Sequence, residues 1–232
     1  IRWALTESLP VEARRPPSQP RLSDTFRFLN RIRRLAPSKL IKQLFMMRVF
    51  FSAMMSAYVS TIPLFLIDLF DFDAQELGLF MVVVGGFLAF NQAVLSKWFI
   101  KRLGERRTMT IGLCLSVLGF FTITLTEHLW IYCLYYYVLN LGFCLIIPAL
   151  NALLAQRADP QQMGEVMGIG NAIASLSNAL IPVFAASMYG ILGAQFYHLV
   201  ATLPAMALLL AMRLQSDRQY LTEHPQPHRA KI

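Results

Sequence analysis

Residues 97–107 (KWFIKRLGERR) place five Lys/Arg between two long apolar runs. Each basic side chain costs about 2.5 to 3.5 kcal/mol at the middle of a bilayer on the insertion scale, so this stretch stays on the cytoplasmic face. The runs on either side, ending at Leu95 and beginning at Met109, then both cross toward the opposite face. Composition agrees. The chain is 56% hydrophobic and 15% charged, whereas about a quarter of the residues in a soluble domain are charged. The fold class expected is therefore an all-α integral membrane protein.

The net charge of +8 is carried by a few clusters outside the apolar runs. That pattern fits topology and anionic lipid as partner rather than nucleic acid. Cys114, Cys133 and Cys144 all lie inside apolar runs, so neither a disulfide framework nor zinc-type ligand spacing is on offer, and no cofactor or metal is expected. The first residue is Ile1 and Ile1 to Leu5 are mostly apolar, which leads us to expect the end of a preceding span there.

Residues 1–43 form a cytoplasmic linker rich in Lys, Arg and Pro. Within it Leu22, Phe26, Leu29, Ile32 and Leu35 recur at spacings of four and three, opposite Arg27, Arg31 and Arg34. This predicts a short basic amphipathic helix lying in the headgroup layer. Six spans are predicted at 44–66, 77–95, 109–125, 129–154, 166–189 and 196–212, within one bundle covering 44–212; a span needs about 20 residues. The connections alternate in character. One side carries the linker, the 97–107 stretch, Arg157 and the tail 213–232, and the other carries Asp68, Asp71, Asp73, Glu76 and Glu127 with no Lys or Arg. The positive-inside rule then places both ends in the cytoplasm.

A basic linker followed by six spans with both ends inside resembles the carboxy-terminal half of a major facilitator superfamily transporter. That superfamily repeats Gly-x-Leu-Ala-Asp-Arg-x-Gly-Arg-Arg after the second span of each half. Here Arg102, Gly104, Arg106 and Arg107 match it, while Lys97 and Lys101 stand where the motif has Gly and Asp. Gln92 is similar to a glutamine found there in drug-proton antiporters of the superfamily, and Thr6-Glu7-Ser8-Leu9-Pro10 resembles their Glu-Thr-Leu-Pro ending. Residues 164–190, with Gly168, Ser175-Leu176 and Pro182, resemble their eleventh span, with Asn178 and Ile181 where glycines are usual. The resemblance implies half of a twelve-helix fold, with an amino-terminal six-helix half as partner.

Polar residues inside spans are the candidates for function, with helix packing as the alternative for each. Tyr132, Tyr136, Asn140, Cys144 and Pro148 recur every four residues and share one face. Asn171, Ser175 and Asn178 share another at spacings of four and three. By the resemblance these are the tenth and eleventh spans, which contribute to a central substrate cavity, together with Tyr58 and Gln92. Ser52, Ser56 and Ser60 read as a close-packing ribbon, and Gly85-Gly86 with Gly78 and Ala89 as a place where two helices approach. Pro63, Pro148, Pro182 and Pro204 each remove a backbone donor inside a span; the first three are the gating or hinge candidates. Arg48 lies about one turn inside its span, where its stem can return the charge to the headgroups. An anion-binding or proton-coupling role is the alternative. His198 reads as an interfacial residue.

No Asp or Glu occupies the middle of a span, and the resemblance to drug-proton antiporters implies that such a proton-carrying group lies in the amino-terminal half. No Gly-x-Ser-x-Gly, no His-Glu-x-x-His and no Arg at every third position is present, which argues against a membrane protease, a metal hydrolase or a voltage sensor. The function expected is not enzymatic. The resemblance carried by Gln92 and the eleventh-span pattern implies proton-coupled efflux of a small organic drug or metabolite by alternating access, in the plasma (inner) membrane. Sugar or organic-acid uptake is one alternative, and a non-transporting assembly subunit or gene remnant is another.

Overall fold

Backbone N–H and C=O groups facing lipid must be satisfied within their own segment, and among the described residues, 39–158 and 162–213 of this computed structural model, the chain does this with helices and no strand. The helices are α1 (Lys39–Phe70), α2 (Ala74–Phe90), α3 (Ser96–Thr122), α4 (Leu129–Arg157), α5 (Met163–Leu192) and α6 (Phe196–Arg213). One π-helical turn, Asn91–Leu95, joins α2 to α3, and one 3₁₀ turn, Gly193–Gln195, joins α5 to α6. The amphipathic segment 22–35, the Thr6 to Pro10 motif and the tail beyond residue 213 lie outside the described residues.

Among the described residues, four stretches are long and apolar enough to cross a membrane, Ile41–Phe70, Ala74–Thr122, Leu129–Arg157 and Met163–Met212, and the second and fourth each take in two of the six spans expected from charge. The reason is local. Lys, Arg and Leu are good helix formers, so the 97–107 stretch stays helical instead of forming a loop, and only Gly104, at φ 78° and ψ 163°, leaves helical geometry. At the α1–α2 corner the break is sharper. Asp71 adopts φ 52°, and Asp73 then caps α2 by accepting from the Glu76 N–H at 2.7 Å while its own N–H donates to the Glu76 carboxylate at 3.1 Å.

Side-chain contacts set the direction of each helix against α4. On α1, Arg48 meets Asn151, Tyr58 meets Asn140 and Phe65 meets Tyr132, so α1 and α4 are antiparallel. On α2, Phe80 meets Tyr132 and Leu88 meets Cys144, so α2 and α4 are parallel. On α3, Gly112 lies against Ile146 and Gly119 against Leu139, which makes α3 and α4 antiparallel. The 49-residue stretch from Ala74 to Thr122 therefore doubles back at Gly104 and places both arms along α4. Likewise α5 runs parallel to α1, since Ser56 meets Ser177 and Asp68 meets Tyr189.

The tightest seam lies between α3 and α4. In lipid, helices gain little from apolar burial and associate through close packing of small residues. A Cβ added at Gly112, Gly119 or Gly142 would come within 2.9, 2.6 and 2.6 Å of the facing helix. Ser116 completes this small-residue edge, its hydroxyl donating to the Gly112 carbonyl at 2.9 Å. Gly78, Gly85 and Gly86, expected at a helix crossing, instead face open space, and α2 buries none of its residues.

Candidate solute cavity

A cavity of about 450 Å³ opens between α1, α4 and α5, within the roughly 300–1,000 Å³ of small-molecule sites. Its α1 wall carries Arg48, Ser52, Ser56 and Ser60 at successive intervals of four, so a cation and three hydroxyls form one ribbon along the helix. Phe51, Met55 and Val59 supply apolar wall on the same helix, Ile147 comes from α4, and Ala174, Asn178 and Pro182 come from α5. The serine ribbon expected to pack against a helix thus lines the cavity, although Ser56 also donates to the Ser177 carbonyl at 3.1 Å.

Arg48 departs from the expected return to the headgroups. It is 9% exposed. Its Nη1 donates to Asn151 Oδ1 at 3.0 Å, and its buried Nε finds no acceptor among the described residues. The loss of a snorkelled geometry follows from packing: α5 approaches here, with Gly170 beside the Arg48 Nε, and Asn151 on α4 offers a neutral acceptor inside the bundle.

Prolines flank the far part of the cavity. Pro63 on α1 and Pro182 on α5 cannot donate to the carbonyls four residues earlier, which are those of Val59 and Asn178, both cavity residues. The helices continue through Pro63, Pro148 and Pro182.

The other candidates separate into groups. Tyr58, Tyr132, Tyr136 and Asn140 are all buried and occupy an aromatic core between α1 and α4 instead of the cavity wall. Tyr58 sits edge-on to Phe143 at 5.1 Å and near Tyr136 at 5.9 Å. Asn140 donates to the Tyr58 hydroxyl at 3.3 Å and to the Tyr136 carbonyl at 2.9 Å, while the Tyr132 hydroxyl has no partner among the described residues. Asn171 and Ser175 are exposed on α5, and of the eight residues considered for the cavity only Asn178 lines it.

Gln92 is exposed, and its neighbour Asn91 is the buried member of the π turn. Tyr137 donates to Asn91 Oδ1 at 3.2 Å, and the Asn91 Nδ2 has no partner among the described residues. Sequence reasoning missed Asn91; an intramembrane Asn next to Gln92 was the available signal. In the basic stretch, Arg102 lies over the Trp98 ring at 5.2 Å, Arg106 and Arg107 are exposed, and Gln156 donates to Glu105 at 2.7 Å, tying the Gly104 corner to the end of α4. His198 is half-buried, its Nε2 3.2 Å from the Thr124 hydroxyl.

Comparison with known proteins matches the Major Facilitator Superfamily family model over residues 3–182 and again over 44–230. Among curated relatives, the class C tetracycline resistance protein of Escherichia coli is 27% identical over 122 residues, 53% of this chain and 31% of its own length. The class H tetracycline resistance protein of Pasteurella multocida is 24% identical over 125 residues, 52% of this chain and 30% of its own. The chain thus spans less than a third of the curated relatives it matches. Among solved structures, that of the human organic anion transporter MFSD10 (TETRAN) aligns with a TM-score of 0.63 at 25% identity, over 85% of this chain and 43% of that one. An all-helical membrane architecture, a solute-sized cavity between helices and a family match covering most of the residues agree: this chain is an integral membrane protein belonging to the Major Facilitator Superfamily.

Proposed function

We propose that this chain is the carboxy-terminal half of a secondary active transporter that exports a small organic solute by alternating access in exchange for protons. In this reading α1 to α6 cross the plasma (inner) membrane six times with both ends cytoplasmic, and rock against an amino-terminal six-helix half. The observation that carries the reading is the cavity of about 450 Å³ with one polar ribbon on α1 and a mostly apolar remainder. Such a lining suits an amphipathic organic solute better than an ion or a sugar, which would need polar groups on several walls. The tetracycline resistance relatives favour efflux. The proline positions beside the cavity favour helices that bend as access alternates, and Arg102, Gly104, Arg106 and Arg107 serve as the cytoplasmic loop motif of that movement.

The test is transport by the full-length gene product in proteoliposomes with tetracycline as solute. Uptake driven by an acidic interior, and abolished by a protonophore, is the expected result. Absence of solute movement under either sign of proton gradient would count against export by exchange.

A further inference from the structure

We infer that Arg48 anchors an anionic group of the solute, so that the cavity selects amphipathic organic anions over neutral molecules of the same shape. This rests on the cavity being the solute site proposed above. A guanidinium removed from water is costly unless an opposite charge or several acceptors compensate it. Arg48 is nine-tenths buried, yet among the described residues its one hydrogen bond goes to the neutral Asn151 amide oxygen, and its Nε has no acceptor at all. Among the described residues the charge is therefore held at the cavity wall without a counter-charge, which a bound anion would supply.

The surroundings define the ligand further. Arg presents a planar fork that matches a carboxylate or phosphate with paired hydrogen bonds, and Asn151 fixes one arm of that fork. Ser52, one turn along α1, adds a hydroxyl beside the same position, and Phe51, Met55 and Ile147 form apolar wall. The solute class is then an organic acid whose anionic end meets Arg48 and whose ring or alkyl body lies along the cavity.

The test uses the purified full chain in nanodiscs of zwitterionic lipid, with 2-naphthoate and its uncharged amide as fluorescent probes. Wild type should bind the carboxylate at least about tenfold more tightly than the amide, as expected for hydrogen bonds to a charged group. Arg48→Gln should remove that preference, and Arg48→Lys should keep part of it. The wild-type comparison stands even if a variant folds poorly. Equal binding of both probes by wild type would overturn the anion assignment and leave the cavity as a neutral-solute site. Binding of neither would overturn the solute cavity as well. Loss of the carboxylate preference on adding phosphatidylglycerol to the nanodiscs would overturn the assignment in favour of a lipid headgroup.

Discussion

Gly142 on α4 faces Gly112 on α3 so closely that a Cβ on Gly142 would stand 2.8 Å from the Gly112 carbonyl oxygen and 2.6 Å from the Ser116 hydroxyl. The two backbones meet with no side chain between them, and this sets how near α3 can lie to α4.

Gly142→Ala and Gly119→Ala should each separate these helices. At Gly119 the obstacle is the Leu139 backbone, 2.8 Å from the added Cβ, and cannot rotate away. A loss of about 1–3 kcal/mol is expected, the range for overpacking. Gly85→Ala, with open space around it, should change stability little or raise it by removing helical glycine. SDS-titration unfolding of the three variants in mixed micelles checks this; equal losses at all three positions would contradict it.

Two buried tyrosines should respond in opposite ways. Tyr132 is fully buried with an unpartnered hydroxyl, so Tyr132→Phe should leave stability unchanged or improve it by up to about 1 kcal/mol. Tyr58→Phe takes from Asn140 the hydroxyl acceptor it holds at 3.3 Å, and should cost about 0.6 kcal/mol, the average for a hydrogen bond between membrane helices. The same unfolding assay ranks the pair, and a Tyr132→Phe variant weaker than Tyr58→Phe would refute the ranking.

Gly104 holds φ 78° with ψ 163°, a combination that essentially only glycine adopts without strain. A Cβ there would touch nothing within 4 Å, so Gly104→Ala tests backbone strain apart from collision. About 1–3 kcal/mol of destabilisation is expected. Gly164→Ala, also in open space but at the start of a helix, should be close to neutral. Comparable values for the two would remove the special role of the Gly104 corner.

The proposed six-crossing topology predicts opposite accessibility for the α1–α2 and α2–α3 corners. With Cys114, Cys133 and Cys144 replaced, a cysteine introduced at Asp71 should react with an impermeant maleimide from outside. One at Glu105 should react only after permeabilisation. Labelling of both from one face would exclude the arrangement.

Much of the helix content was legible because long apolar runs with sparse turn residues allow little else in a bilayer. Their breaks were less legible. Charge density marks which residues stay out of lipid but does not end a helix, so Lys97 to Leu103 looked like a turn and is helical. Spacing correctly grouped Tyr132, Tyr136 and Asn140 on one α4 face. It could not say that Tyr58 and Phe65 pack with that face and make it core. The same limit hid the cavity: Ser52, Ser56 and Ser60 look alike as packing surface or as wall until the position of α5 is known. Gly112, Ser116 and Gly119 were equally silent, since a small residue reveals its use only when a partner backbone is found against it.

The π turn at Asn91–Leu95 acts as a phase shift in an otherwise periodic rod. It inserts one residue into the helical repeat, so the faces before and after it are out of step by about 100°. Upstream, Phe87 and Leu88 address α4; downstream, Ser96 turns inward while Trp98 and Arg102 stay out. Deleting a single residue from this turn would restore the ordinary repeat and swing the whole basic segment around its axis, re-aiming the Gly104 corner without altering any of its side chains.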